Sequence, residues 1–348
     1  MAKPKCIQSR AVALQQLNDE ELLDLRLCDL NLTLETAPIL AQRVQRLYAE
    51  LARKHLAHFR PHCWLSSEWF SPDGVPGIAI PFYLAHPRLM KLEKSQVLQV
   101  EGGTNAECMR ILRHEVGHCI DTAYRLHFRK AWREHFGLFS EPYPNYYHPK
   151  PGSRRFVQHL DYWYAQAHPA EDFAETFAVW LSSGSRWRQR YENWPALRKL
   201  EYVDRLMEQV VQEKPKLRSR RKVEPLQSLR ITLREYYREK RLRYASEWPE
   251  FFDLDLGKLF SSERRFAQQP TAAMFLRRIR PEIRAVVSRW TATHPYTIDQ
   301  VLRDMIDRCK ELKLRLALPE DQARREAAIM VTVQTMNYVH SHRHRVAL

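Results

Sequence analysis

The chain has 348 residues, enough for two domains at the usual size of about 100–200 residues each. Its formal net charge is +15 and its pI is near 9.6, which permits non-specific binding to polyanions without indicating a nucleic-acid function. No apolar run is long enough for a membrane span, and the six scattered cysteines, with no C-x-x-C pair, exclude a disulfide-rich scaffold. Because no apolar run follows the basic N-terminus, we expect no secretion signal and a cytoplasmic location.

Nine glycines and twenty prolines favour an α+β fold in which helices with firm stops predominate over sheet. The first predicted segment, 1–60, is helical and is expected to pack on the domain that follows it. Its main helix runs from Pro38 to His58, where apolar residues recur at helical spacing.

Two short strands are predicted next, at 62–70 and 75–82, separated by the turn 71–74. They should form a hairpin. Pro76 and Pro81 lack an amide donor, so the second strand is expected at the edge of a small sheet. Such an edge could accept an extended peptide by strand addition, or it could be an ordinary edge that its prolines protect from aggregation.

A buried helix is predicted over Ile111–Leu126, because its apolar residues follow the helical period. His114 and His118 lie four positions apart and therefore stack on one face, where both imidazoles can bind the same tetrahedral metal. Zinc is the expected metal, and Glu115 would lie beside it as a general base and not as a ligand. The alternative is a pair of core histidines hydrogen-bonded to neighbouring carboxylates.

A long surface loop is predicted over 136–155, and it could form a wall of a cleft. Pro169 then opens an apolar helix that carries two acids one turn apart, Glu171 and Glu175. Carboxylates are rarely buried unless paired or metal-bound, so Glu171 is predicted as the third ligand, with the fourth position open for water. Glu175 is expected to accept the second ring N–H of His114.

Asp121 is a competing candidate, either as the third ligand or as support outside the ligand set. It follows His118 by three residues and so lies on the metal face of the same helix. A third histidine soon after the motif is not expected, because Tyr124 occupies the position that it would need.

These motifs resemble those of the gluzincin clan of zinc metallopeptidases. The segments Gly77–Pro87, Leu112–His118 and His168–Ala178 are similar to a bacterial family of zinc-binding metallopeptidases with no established substrate. Tyr164, seven positions before Glu171, resembles the tyrosine of the anthrax lethal-factor-like branch. The resemblance covers most of residues 60–200 and implies a zincin-like fold and one zinc ion per chain.

By this resemblance Tyr164 would donate a hydrogen bond to the oxyanion during peptide cleavage, since a phenol keeps its proton at neutral pH. Tyr162 and His168 are rivals for this role. Tyr162, Trp163 and Tyr164 could also form an aromatic cluster beneath the cleft.

The domain plan that follows is a zincin-like domain over 61–213, a basic linker over 214–225 and a C-terminal helical domain over 226–348. The linker contains the proline-marked run Lys214–Lys222, which could contact nucleic acid or an anionic surface, although nothing nearby reads bases.

The sequence therefore predicts a zinc-dependent metalloendopeptidase acting on a peptide or protein substrate, with no membrane partner. Zinc would activate a water for attack on the peptide bond, with Glu115 as the base. The alternative is a non-catalytic, zinc-stabilised scaffold whose basic helices contact nucleic acid or an acidic partner. It predicts a fourth protein ligand, for which Asp121 is the candidate.

Overall fold

A computed structural model describes residues 14–144, 147, 150, 152–244 and 252–340. Over this part the protein is predominantly helical with small sheets, which confirms the coarse fold class. The described residues divide into two compact units, one reaching Gln96 and then running from Val100 to Tyr237, the other comprising Val97–Gln99 and the residues from Arg238 onward. No helix in the described ranges combines the length and apolar character that crossing a membrane requires.

Helices form most of the first unit, and the last of them continues into the second. In chain order they are α1 (Asp19–Leu23), α2 (Pro38–Arg53), α3 (Pro87–Val97), α4 (Asn105–Tyr124), α5 (Lys130–Phe136), α6 (Pro169–Leu181), α7 (Trp187–Arg190), α8 (Ala196–Val210) and α9 (Leu233–Tyr244).

Local sequence signals account for the bounds of the two central helices, α4 and α6. Thr104 caps α4, where its side chain accepts the backbone N–H of Glu107, and α4 ends where Arg125 adopts a left-handed conformation. Pro169 opens α6, and the ring of His168 caps it by accepting the N–H of Ala170. The described residues of α6 are almost entirely buried, so it is the core helix of this unit.

The first sheet pairs β1 (His62–Ser66) with β2 (Gly77–Pro81) in parallel, so the predicted hairpin of these two strands is wrong. The chain does reverse before β2, but β1 is not the segment that pairs antiparallel with it. Phe70 forms an isolated antiparallel bridge with Ala79, on the edge of β2 opposite β1. The connection is long enough to carry the chain across β2, which therefore has neighbours on both edges and is not an edge strand. Pro81 ends β2 and removes no donor from its middle.

The predicted linker, 214–225, belongs to the first unit, and the division between the units lies later, after Tyr237. The amides of Lys216 and Leu217 donate hydrogen bonds to the carbonyl of Ala123. Side chains of β1 form hydrogen bonds with the backbone carbonyls of residues 221, 223 and 224. A proline and basic run signals irregular backbone, but it does not determine whether that backbone packs against a domain.

The second unit is built around α11 (Ala272–Thr291), α12 (Pro295–Glu311) and α13 (Glu320–His340), with α10 (Phe252–Leu259) beside them. A two-residue antiparallel pair joins β3 (Phe260–Ser261) to β4 (Arg315–Leu316). Helices dominate the described part of this region, as predicted.

Candidate metal centre

The centre lies between α4 and α6, which pack closely at one point. A Cβ atom added to Gly117 would lie 2.8 Å from the Cα of Ala174 and 3.1 Å from its carbonyl oxygen. Gly117 stands between the two predicted histidine ligands, and Ala174 follows Glu171 by three residues. The glycine therefore lets α4 and α6 approach to a distance that a side chain would prevent.

Three predicted ligand atoms converge between these helices. The Nε2 atoms of His114 and His118 are 3.0 Å apart, and Glu171 Oε2 lies 3.0 Å from the first and 3.2 Å from the second. A tetrahedral zinc with bonds of about 2.0–2.1 Å has ligand atoms separated by about 3.3 Å. The three atoms therefore fit one face of such a tetrahedron. They are the only group of this kind in the described ranges.

Glu175 contacts the ring nitrogen of His114 that faces away from His118 and Glu171, as predicted. His114 Nδ1 donates to Glu175 Oε1 at 2.7 Å, and the backbone N–H of Leu160 donates to the other carboxylate oxygen at 2.7 Å. Because Nδ1 carries the hydrogen, the lone pair of the neutral ring lies on Nε2 and points at Glu171. This is the arrangement by which a carboxylate orients a metal-binding imidazole.

The electrostatics of this centre favour a positive charge between the three side chains. Burial by itself lowers the pKa of His114, but hydrogen bonds to Glu171 and Glu175 raise it well above its ordinary value. Burial likewise raises the pKa of Glu171, yet the charge of His118 and its contacts with both histidines hold it well below the usual range. A positive charge, as a proton or a metal ion, is thus stabilised where the three atoms meet. The donor set fits zinc.

Glu115 is buried directly beside the ligands, with 6% of its surface exposed. Its Oε2 atom has no hydrogen-bond partner among the described residues, whereas its backbone carbonyl accepts the Ser71 hydroxyl at 3.1 Å. A buried carboxylate oxygen without a partner is costly in a structural role. It is suited to receive a proton from a bound water.

Tyr143 is a contact that the sequence did not single out. Its hydroxyl donates to Glu171 Oε1 at 2.8 Å, and its ring stacks on His168 with centroids 3.9 Å apart. The loop that was predicted to form a wall thus reaches the carboxylate oxygen that faces away from the histidines. Nothing in the spacing distinguishes Tyr143 from the tyrosines that follow it, because loop residues have no periodicity to interpret.

Tyr164 lies against the centre, as the resemblance implies, with its ring centroid 5.6 Å from that of His114. Burial, followed by the charge of Glu171, raises its pKa well above the usual value, so its hydroxyl remains a donor. The rival His168 is committed elsewhere, because one ring nitrogen caps α6 and the other donates to the carbonyl of Glu141 at 2.8 Å. The side chain of Tyr162, the other rival, lies outside the described part.

Asp121 is not a ligand in this arrangement. Its Oδ2 atom accepts a short hydrogen bond from Nδ1 of His127, and it is absent from the converging group. Burial raises the pKa of Asp121, and the contact with His127 opposes that rise. Asp121 therefore supports the end of α4 and does not belong to the group of three converging atoms.

An ion pair beside the centre joins α4 to α2. Arg113 donates two hydrogen bonds to Glu50, at 2.7 and 2.8 Å, and both side chains are buried. Since Arg113 immediately precedes His114, this bidentate pair restrains the turn of α4 on which His114 lies.

No protein-family model, no curated protein and no solved structure matches the chain. The likeness to gluzincins therefore rests on the residues of α4 and α6 and on the geometry in which they meet.

Proposed function

We propose that the protein is a zinc-dependent metallopeptidase of zincin-like fold, with one zinc ion held by His114, His118 and Glu171. The supporting observation is the convergence of three ligand atoms within 3.2 Å of one another, next to a buried carboxylate with an unpartnered oxygen. A structural zinc site is closed by four protein ligands, whereas a catalytic one keeps an open position.

When bound, zinc lowers the pKa of a coordinated water and polarises the scissile carbonyl. Glu115 accepts the proton of the attacking water and then passes it to the departing amine. Its position next to His114 in the sequence keeps the carboxylate at the centre without using it as a ligand. A positioned acid–base group of this kind contributes about 10²–10⁴-fold to a rate.

Three neighbouring side chains assist these two proton transfers, one by stabilising the developing negative charge and two by orienting the metal-binding residues. Tyr164, which stays protonated, donates to the oxygen of the carbonyl under attack as negative charge develops there. Tyr143 and Glu175 fix the orientations of Glu171 and His114 through the hydrogen bonds described above.

The test is Glu115→Gln, measured for both zinc content and peptide-library cleavage. We expect one zinc per chain to be retained and turnover to fall by about 10²–10⁴-fold, because the amide fills the same volume but accepts no proton. Glu107→Gln, two turns earlier on α4, is the matched control and should retain both properties. Full activity in Glu115→Gln would refute the proposal.

The closed metal site of the scaffold alternative has no support among the described residues. It requires a fourth protein ligand, and its candidate Asp121 is hydrogen-bonded to His127 instead.

A further inference from the structure

A basic strip, defined here as residues 214–222, crosses the surface of the first unit without helix or strand. Six of its nine residues are lysine or arginine and none is acidic. All six are exposed, and none makes an ion pair with a carboxylate in the described part of the chain. They are Lys214, Lys216, Arg218, Arg220, Arg221 and Lys222.

The backbone of the strip is fastened to the unit at both ends. Lys216 and Leu217 donate their amides to the carbonyl of Ala123 at 2.8 and 3.0 Å. At the other end His62 contacts the carbonyl of Arg221 at 3.0 Å, and Trp64 donates to the carbonyl of Val223 at 2.9 Å. A flexible charged linker would need none of these contacts.

One face of β1 provides the side chains that hold the end of the strip. His62, Trp64 and Ser66 alternate along the strand and so share one face, and Ser66 donates to the carbonyl of Glu224 at 2.7 Å. The rings of His62 and Trp64 stack with centroids 5.0 Å apart, above Gly77, where a Cβ would lie 2.4 Å from the His62 ring. The glycine leaves room for the two rings that hold the strip.

Over 214–218 the side chains alternate between the protein and the solvent, and from 219 to 222 all of them are exposed. Pro215 and Leu217 are half-buried, while the cations at the even positions between 214 and 222 are exposed. The strip therefore presents a row of charge at most about 30 Å long, with its apolar residues turned inward. At about 3.4 Å per phosphate along one nucleic-acid strand, this length corresponds to about eight or nine nucleotides.

We propose that the basic strip binds the phosphate backbone of a nucleic acid without reading its sequence. Protein partners are normally anchored by aromatic or apolar side chains in pockets, and the exposed face of the strip has none. Phosphate backbones need only regularly placed cations, and the net charge of +15 adds a long-range attraction of the same sign. The proposal does not depend on the peptidase function.

The strip begins close to the metal helix, because Ala123 follows His118 by five residues on α4. The distance along the helix axis is about 7.5 Å. A bound nucleic acid would therefore lie on the same unit as the candidate centre, and a protein carried on that nucleic acid would be presented near it.

The test measures binding of a short, labelled single-stranded DNA of mixed sequence by fluorescence anisotropy over a range of salt concentrations. The strip variant replaces Lys214, Lys216, Arg218, Arg220 and Lys222 with glutamine. With a slope contribution of about 0.7 per phosphate contact, the dependence of log K on log salt should become less steep by about 3.5, and the affinity near 0.1 M salt should fall by about 10³-fold.

The matched control removes the same charge from five exposed cations of the second unit: Arg264→Gln, Arg277→Gln, Arg289→Gln, Lys313→Gln and Arg325→Gln. It should keep a slope within about one unit of the wild type, since one contact changes the slope by about 0.7. A charge-preserving pair, Arg218→Lys with Arg220→Lys, should bind as the wild type does. Far-UV circular dichroism and zinc content should be unchanged in the strip variant, since its substitutions are exposed and its fastening runs through backbone atoms.

Three outcomes would overturn the proposal. Equal losses in the strip and control variants would mean that only net charge matters. Tighter binding of polyglutamate, or of phosphatidylserine vesicles, with the same sensitivity to the strip variant would assign the surface to an acidic protein or a membrane. No salt-dependent DNA binding by the wild type would remove the basis altogether. None of these outcomes bears on Glu115→Gln, which tests the peptidase separately.

Discussion

Gly117→Ala is the substitution that most directly tests how the metal centre is built. The added Cβ would lie 2.8 Å from the Cα of Ala174, whereas ordinary contact begins near 3.4 Å, so α4 and α6 must separate by about 0.6 Å. The obstacle is backbone on the opposite helix, which cannot rotate out of the way. Because the histidines lie on one helix and Glu171 on the other, this separation opens the ligand triangle directly.

The size of the expected loss of zinc affinity follows from the narrow range of distances that zinc–ligand bonds tolerate. Zinc sites keep their ligand distances to within about 0.2 Å, which is less than the required shift. We therefore expect zinc affinity to fall by at least about tenfold, comparable with the loss of a supporting group. Overpacking costs about 1–3 kcal/mol, and the better helix propensity of alanine offsets up to about 1 kcal/mol of it. The free energy of unfolding should thus decrease only modestly.

The assay is zinc competition with a chromogenic chelator, combined with thermal unfolding in the presence and absence of zinc. Gly257→Ala in α10 is the control, because an added Cβ there has nothing within 4 Å. It should raise the free energy of unfolding by up to about 1 kcal/mol and leave zinc affinity unchanged. If Gly117→Ala bound zinc as tightly as the wild type, the close approach of the two helices would not determine the ligand geometry.

Other predictions concern the surroundings of the centre and the second unit. Tyr143→Phe keeps the ring but loses the hydroxyl that donates to Glu171, so zinc affinity should fall by about 10–100-fold. Tyr164→Phe should instead lower turnover and leave zinc affinity intact. Chelator competition measures the zinc affinity of both variants, and steady-state kinetics measures their turnover. Glu50→Gln leaves the buried Arg113 without a negatively charged partner and sets an amide NH2 against one of its N–H donors, so it should cost about 3–5 kcal/mol in urea unfolding; a loss below 1 kcal/mol would contradict this. Burial lowers the pKa of His294 to about 3, so the unfolded state binds the proton first and stability should fall as pH drops from about 6.5 towards 3. His294→Asn keeps an N-cap acceptor for α12 and should weaken this acid dependence, seen as a smaller decrease in melting temperature between pH 7 and pH 5.

The side chains of the candidate metal centre show which contacts could be predicted from the sequence. His114 and His118 meet because the helical period puts positions four apart on one face, which is a local property of the chain. Glu171 and Glu175 were identifiable because two acids in an apolar helix need buried partners. The structure brings all four together, and Glu175 takes the ring N–H that was predicted for it.

Contacts that lie outside the regular helical spacing could not be predicted in this way. Asp121 occupies a suitable face of α4, yet packing brings His127 to it, and this contact is decided by the turn after the helix. Tyr143 reaches Glu171 from a loop whose path no periodicity describes. The order of β1, β2 and Phe70 likewise depends on a crossing of the chain that the turn signal at 71–74 does not specify.

The sequence by itself predicted the main helices, the spacing of His114 and His118 and the position of Glu115 beside them, because these depend on residues within a few turns of one another. Only the tertiary structure decided that Gly117 brings two helices into van der Waals contact, that Tyr143 donates to Glu171, and that the basic run is hydrogen-bonded along β1. The physical reason is that packing and hydrogen-bond satisfaction select among the many chain paths that the same local pattern allows.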